Sequence, residues 1–320
     1  MYKPKGPDYQ DVEGLKIPKA FSPECLRDSL RYKPKADDVF IVTFPKCGTT
    51  WTQHIVINIL KRGLPPESFE EFQKLSPFME LTGPGVVETM PRPGAIKTHL
   101  PFDLQPYSLQ AKYIYITRNP FDCCVSLFHH SRTLPIYQYS DGAFEDFFEI
   151  FINGQTEFGD YFDHLLSWYE HRKDPNVLFL VYEKMKADTR TDVLNIAKFL
   201  DQEYEDMLVK DVQMMENILL QTSVEYMKKS TNKHFGSFFG SVHSDEDIDN
   251  KNIPEGLKHI LNYMKTINFK PQSELNFVRK GIVGDWKNHF TPEQTERLRR
   301  KCIQKFEGTK IPEFWPDIFK

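Results

Sequence analysis

The sequence has little of what would tie it to a disulfide scaffold, a membrane or a polyanion. Its 320 residues hold five cysteines, Cys25, Cys47, Cys123, Cys124 and Cys302. The number is odd, no CxxC pair is present and the density is low, so they read as reduced thiols with no metal attached. Cys123 and Cys124 are adjacent, where a bridge would be strained, and read as packing residues. No apolar run approaches the roughly 20 residues that cross a bilayer. The opening MYKPKGPDYQ lacks the apolar stretch of a secretory signal, so a cytosolic address is the expectation. Charge of either sign is not in large excess: 41 Lys and Arg face 45 Asp and Glu, a net −4. A nucleic acid is therefore not expected as partner, and any anion site must be local.

What is present is a repeated grammar. In DVFIVTFPKCGTTWTQHIVINILKRG the apolar run Val39 to Phe44 meets a tight turn and then a helical run in which Trp51, Ile55 and Ile59 recur every fourth residue. The pattern returns as KYIYIT before RNPFDCCVSLFHH, and as NVLFLVY before EKMKADTRTDVLNIAKFL. Strands alternating with helices imply an α/β fold, a parallel β-sheet flanked by helices on both faces. With 40% hydrophobic residues the chain can bury a sizeable core, and one domain over 1–320 is expected. The aromatic-rich stretches FEDFFEIFINGQ and FGDYFDHLLSWYEHR read as scaffold helices. Residues 236–256, rich in Gly, Ser and Asp, read as a long exposed loop of the kind that serves as a lid. Thr291, Pro292 and Gln294 supply an N-cap, a first-turn proline and a capping-box partner for a helix through Phe306.

The turn Pro45-Lys46-Cys47-Gly48-Thr49-Thr50 ends a strand and opens a helix, so it aims backbone N–H groups and the positive helix end at one spot. An anion such as phosphate suits that spot. The loop is P-loop-like, yet aligned on Gly48 a triphosphatase loop needs Lys where Thr49 stands and Gly where Thr43 stands. The lysine instead precedes the helix, at Lys46. This argues against a magnesium-dependent kinase, which manages charge on a phosphoryl group with hydroxyl, carboxylate and metal. Transfer of a less charged group needs less neutralisation, and a lysine with a backbone cradle suffices.

Taken in order, TFPKCGTTW, KTHLP, RNPFDCCVS and RKGIVGDWKNHF make the chain resemble the cytosolic sulfotransferase family over nearly its whole length. The resemblance implies transfer of a sulfuryl group from 3'-phosphoadenosine 5'-phosphosulfate (PAPS) to a hydroxyl of a small acceptor, with 3'-phosphoadenosine 5'-phosphate (PAP) as product and no metal. It places Lys46, Cys47, Gly48, Thr49, Thr50 and Trp51 at the donor, with Trp51 stacked on adenine, a contact worth roughly 1–3 kcal/mol. His99 becomes the general base, an imidazole that titrates near neutrality. Lys97 would touch the acceptor oxygen or the sulfonate and help keep His99 neutral. Arg118 and Ser126 would hold the 3'-phosphate, with Arg279, Lys280 and Gly281 closing its other side. Tyr182, Thr222, Ser223 and Met227 match the nucleoside contacts.

Three departures stand out. Val224 replaces the usual phenylalanine, which removes aromatic area from the adenine pocket. Cys47 replaces the usual serine and would make the site thiol-sensitive. Pro292 replaces an apolar residue in the family's dimer-contact segment, 287–296, where Lys287, Thr291 and Glu296 are retained; a homodimer there remains an expectation. Phe21, Phe78 and Phe128, with Lys97 and His99, are the candidates for an apolar acceptor pocket, suited to phenols, catecholamines or steroid-like alcohols. A non-catalytic binder of the same ligands would need neither Lys46 nor His99.

Overall fold

In the computed structural model, which describes residues 4–240, 253–269 and 277–319, the run Val39 to Phe44 lies at the centre of the molecule. Strand β3 (Asp38–Thr43) is buried along its whole length. It pairs in parallel with β4 (Gly94–Thr98) on one side and β5 (Lys112–Thr117) on the other, and β5 pairs with β6 (Val177–Val181), giving the order β4-β3-β5-β6. A separate antiparallel hairpin joins β1 (Tyr9–Val12) to β2 (Leu15–Pro18).

Both faces of the sheet are covered, which is why its strands read as continuous apolar runs. Phe40, Val42 and Phe44 belong to an aromatic core with Tyr113, Tyr115 and Trp168. The alternate residues Val39 and Ile41 belong to an aliphatic core with Ile55, Ile59, Ile114 and Ile196. The period of two along β3 thus sorts its side chains into two layers. Phe40 stacks on Tyr113 at 5.0 Å, and Tyr115 on Trp168 at 5.3 Å.

From β3 the chain crosses to β4 on one side, then returns to β5 on the other. The direction of winding therefore reverses at β3, and in such sheets the crevice beyond the carboxyl ends of the strands at the reversal receives ligands. Three segments end there: Pro45 to Thr50 after β3, His99 after β4, and Arg118 after β5.

Several elements differ from the sequence reading. The third unit holds two helices, because Asp188 ends Tyr182–Ala187 and caps Thr189–Leu200 by accepting from the Thr191 N–H at 3.1 Å. The loop expected over 236–256 is helical at both ends: Val224–Gly240 runs through Gly236, and Glu255–Thr266 includes Gly256. A glycine costs a helix only about 1 kcal/mol. At Gly256 the reason is contact, since an added Cβ would fall 1.6 Å from the Leu81 carbonyl oxygen. Residues 241–252, which the lid expectation also covered, lie outside the described residues. The helix Pro292–Lys305 starts on the expected Thr291–Gln294 capping box. Among the described residues no helix is long and apolar enough to cross a membrane.

Candidate active site

The helix Thr49–Leu60 opens without a side-chain cap, and its N-cap Gly48 has φ 107°. Its first N–H groups therefore have no intrahelical acceptor and face the crevice. Lys46 also adopts a left-handed backbone, φ 71°, which bends the loop round. An added Cβ on Gly48 would come within 2.9 Å of Tyr182 Cδ2. We expect Gly48→Ala to lower donor affinity by at least tenfold and to lower the melting temperature by several degrees, since it meets both backbone strain and a ring. Isothermal calorimetry with PAP and a thermal melt would check both. Unchanged affinity would mean that the loop is not the anion cradle.

A cavity of about 360 Å³ runs from this loop to the hydrophobic interior. At one end it is lined by Lys46, Gly48, Thr49, Thr50, Trp51, Arg118, Ser126, Tyr182, Met227, Arg279, Lys280 and Gly281. At the other it is lined by Phe21, Phe78, Lys97, His99, His130, Tyr137, Glu157 and Phe158. Sequence candidates from distant segments are thereby brought to one wall.

Arg118 acts as a clasp. Its Nη1 donates to the Lys46 carbonyl at 3.3 Å and its Nη2 to that of Ile282 at 3.2 Å, while Nε is buried with no hydrogen-bond partner among the described residues. A buried orphan guanidinium donor beside an open helix N-terminus fits an anionic ligand. Arg118 also lies 4.6 Å from the Tyr182 ring centroid, and Tyr182 meets Trp51 edge-on at 5.5 Å. The segment bearing Arg279 and Lys280 is pinned by buried Asp285, which accepts a hydrogen bond from Lys280 and forms an ion pair with Arg279, both at 2.7 Å. Burial would raise that carboxyl, but hydrogen bonds from Lys280 and Asn288 and the paired Arg279 hold it well below its ordinary range. Asp122 accepts from the Gly284 and Trp286 N–H groups at 2.7 and 3.0 Å, tying the segment to the helix Pro120–Thr133.

The part of the cavity around His99 is dense in titratable groups. His99 Nδ1–H donates to the Thr43 carbonyl at 2.7 Å, which leaves Nε2 as the basic nitrogen. Burial and the neighbouring Lys97 push its pKa well below 6.5. His164 donates to the His99 carbonyl at 3.1 Å, and Phe78 and Phe158 hold the ring at 5.0 and 5.2 Å. Lys97 Nζ sits 3.9 Å over the Phe78 ring, and burial lowers its pKa to about 8. Lys46 Nζ donates to His130 Nδ1 at 3.3 Å and lies 4.6 Å from the Phe277 ring centroid. Burial, then Lys97 and Arg118, bring its pKa to about 7.

Some sequence candidates lie elsewhere. Phe128 turns into the core against Phe144 and Phe147 and does not line the cavity. It sits two positions from Ser126 on one helix, nearly opposite in phase, whereas His129, His130 and Thr133 share the Ser126 face. Cys47 is fully buried with its Sγ 3.7 Å from that of Cys123, so its thiol is shielded where sensitivity was expected. The Thr222 hydroxyl is turned back to the Ile218 carbonyl at 2.7 Å, and Ser223 accepts from the Tyr226 N–H at 3.2 Å. Val224 packs against Gly281, whose added Cβ would meet Val224 Cγ2 at 2.5 Å. His130, Tyr137, Glu157 and Phe158 were not singled out from the sequence; helix phase from Ser126 could have found His130, while no local signal marks Glu157.

The chain resembles known proteins over most of its length. The sulfotransferase domain family matches residues 36–253 and 256–310. Sulfotransferase 1C2 of Rattus norvegicus is 35% identical over 292 residues, 88% of this chain and 86% of the relative. An amine sulfotransferase of Oryctolagus cuniculus is 33% identical, covering 89% and 85%. The crystal structure of mouse sulfotransferase SULT7A1 complexed with PAP superposes with a TM-score of 0.69 at 27% identity, covering 97% of this chain and 98% of that one. With an uncapped helix N-terminus at the sheet reversal, a tethered histidine beyond β4 and these relatives, the chain belongs to the sulfotransferase family.

Proposed function

We propose that the protein transfers a sulfuryl group from PAPS to a hydroxyl of a small acceptor such as a phenol, catecholamine or steroid-like alcohol. The observation that carries this reading is that one cavity is lined both by Lys46, within the open anion cradle at the start of the helix Thr49–Leu60, and by His99. The residues fit the donor: the uncapped helix and Lys46 suit its phosphosulfate, Trp51 and Tyr182 its adenine, and Arg118, Ser126, Arg279 and Lys280 its 3'-phosphate. Cys47 would contribute through its backbone N–H, and Thr222 and Ser223 by shaping the turn before Met227.

The donor supplies the sulfuryl group and its leaving phosphate. His99 Nε2 takes the acceptor proton as the new S–O bond forms, with Nδ1 held by Thr43 so that the ring need not turn. Lys46 and the helix N-terminus stabilise charge on the leaving side, and Lys97 stabilises the acceptor oxygen. Positioning provides the rest, because Phe78 and Phe158 confine the histidine ring. Phe21 and Phe78 supply an apolar wall for the acceptor body.

One catalytic domain over 1–320 and a cytoplasmic address belong to the same reading, supported by a family match that runs from 36 to 310. So does a homodimer through 287–296, where Lys287, Thr291 and Glu296 are exposed. The test of function is product formation from radiolabelled PAPS over phenols, catecholamines and steroid alcohols without added metal. Labelled acceptor is expected; donor binding with no transfer across the panel would favour a non-catalytic binder.

A further inference from the structure

The acceptor end of the cavity carries a feature that sulfuryl transfer itself does not use. Glu157 is the one acidic side chain among the described residues that line it, and it is only 3% exposed. Both of its carboxylate oxygens accept from the Tyr137 hydroxyl, at 2.9 and 2.8 Å. The backbone around it is fixed. The Phe158 N–H donates to the Lys16 carbonyl at 2.8 Å, Thr156 Oγ1 donates to the Gly159 carbonyl at 2.9 Å, and Phe158 and Gly159 have φ of 58° and 90°. Two consecutive left-handed residues fix the direction in which the chain leaves Glu157. The Phe158 ring packs on His99, so the carboxylate is carried by the same loop that walls the base.

On these observations, and resting on the reading that this end of the cavity receives the acceptor, we propose that Glu157, oriented by Tyr137, selects acceptors that carry an ammonium group as well as the reacting hydroxyl. A buried carboxylate is costly unless donors or a cation in contact meet it. Tyr137 supplies one hydrogen, while a carboxylate has about four acceptor sites. Burial pushes Glu157 up to about 7, with the Tyr137 hydrogen bond, Lys97 and Lys46 pulling the other way. An ammonium in contact would restore the ionised form. The two lysines do not forbid this. Both have lowered pKa values, and the anionic donor balances their charge when it is bound.

The experiment compares 4-(2-aminoethyl)phenol with 4-ethylphenol, which share the phenol and differ by the ammonium. Binding is read by calorimetry on the PAP-bound protein, so turnover is not needed. The wild-type protein should bind the amine more tightly, and Glu157→Gln should lower the ratio of amine to ethylphenol affinity by about 10- to 100-fold, the range of a hydrogen bond to a charged group. Tyr137→Phe, which keeps the carboxylate but removes its orienting donor, should lower the same ratio by less, and it provides the reading if Glu157→Gln does not fold. A ratio unchanged in both variants, or no preference for the amine in the wild-type protein, would overturn the proposal. An equal fall for 4-(2-hydroxyethyl)phenol would overturn the cationic assignment. Transfer of label from PAPS to 4-ethylphenol is scored separately: its absence would count against the sulfuryl-transfer reading, whereas the affinity ratio judges Glu157.

Discussion

Replacing His99 with Asn should lower kcat by about 10²- to 10⁴-fold, the range that a positioned general base contributes, while PAP affinity stays within about threefold. The contrast follows from where His99 stands. It lies beyond β4, anchored to Thr43 and walled by Phe78 and Phe158, and among the described residues makes no hydrogen bond to the turn at residues 45–50 itself. Asn can still donate to the Thr43 carbonyl, but it offers no basic nitrogen. Burial and Lys97 keep the imidazole neutral to well below pH 6.5. The base is thus already deprotonated at neutral pH, and lowering the pH toward 6.5 should not cost wild-type rate through His99. Steady-state kinetics across that range, with calorimetry for PAP, checks both statements. A variant that retains more than a tenth of the wild-type kcat would assign the proton to another group, and His130, next to Lys46 in the same cavity, would be the first alternative.

The part of the site around the turn at residues 45–50 was legible in the sequence because most of it is local. Gly48 at φ 107° and the uncapped helix behind it are consequences of a strand, a small turn and a helix in immediate succession. Arg118, Ser126 and Tyr182 follow the ends of two further strands, so once the parallel sheet is granted they converge on the same edge. The part around His99 was less legible because non-local packing sets it. Strand β4, GAIKT, carries Gly and Lys and is preceded by Pro91 and Pro93, and nothing in its pattern marks a strand; its pairing with β3 makes it one. Glu157 owes its place to a turn held by the distant Lys16 carbonyl. Phe128 misled because residue type was read without helix phase. The polar residues Ser126, His129, His130 and Thr133 face the cavity, and the phenylalanine faces the core.

Lys46→Met should lower kcat by about 10²- to 10³-fold, as removal of a donor aimed at transition-state charge does, and at the same time stabilise the ligand-free protein. The second effect follows from the ammonium's surroundings. Burial, Lys97 and Arg118 bring the Lys46 pKa from 10.5 to about 7. Between those values the unfolded chain holds a proton that the folded one releases. The cost of Lys46 to the native state is therefore fully present below pH 7 and fades as the pH rises toward 10.5. Met fills a similar volume without that charge, so the melting-temperature gain over wild type should be largest at or below pH 7 and shrink above it. PAP should reverse the comparison, because its 5'-phosphate adds counter-charge beside Lys46 to the partial compensation that Glu157 gives in the free protein; saturating PAP should raise the wild-type melting temperature more than that of the variant. Thermal melts at several pH values, with and without PAP, separate this account from one in which Lys46 only braces the loop. A variant less stable than wild type at pH 7 would show that the lysine supports the fold, whereas a gain that PAP cancels would show an active site held at the expense of stability.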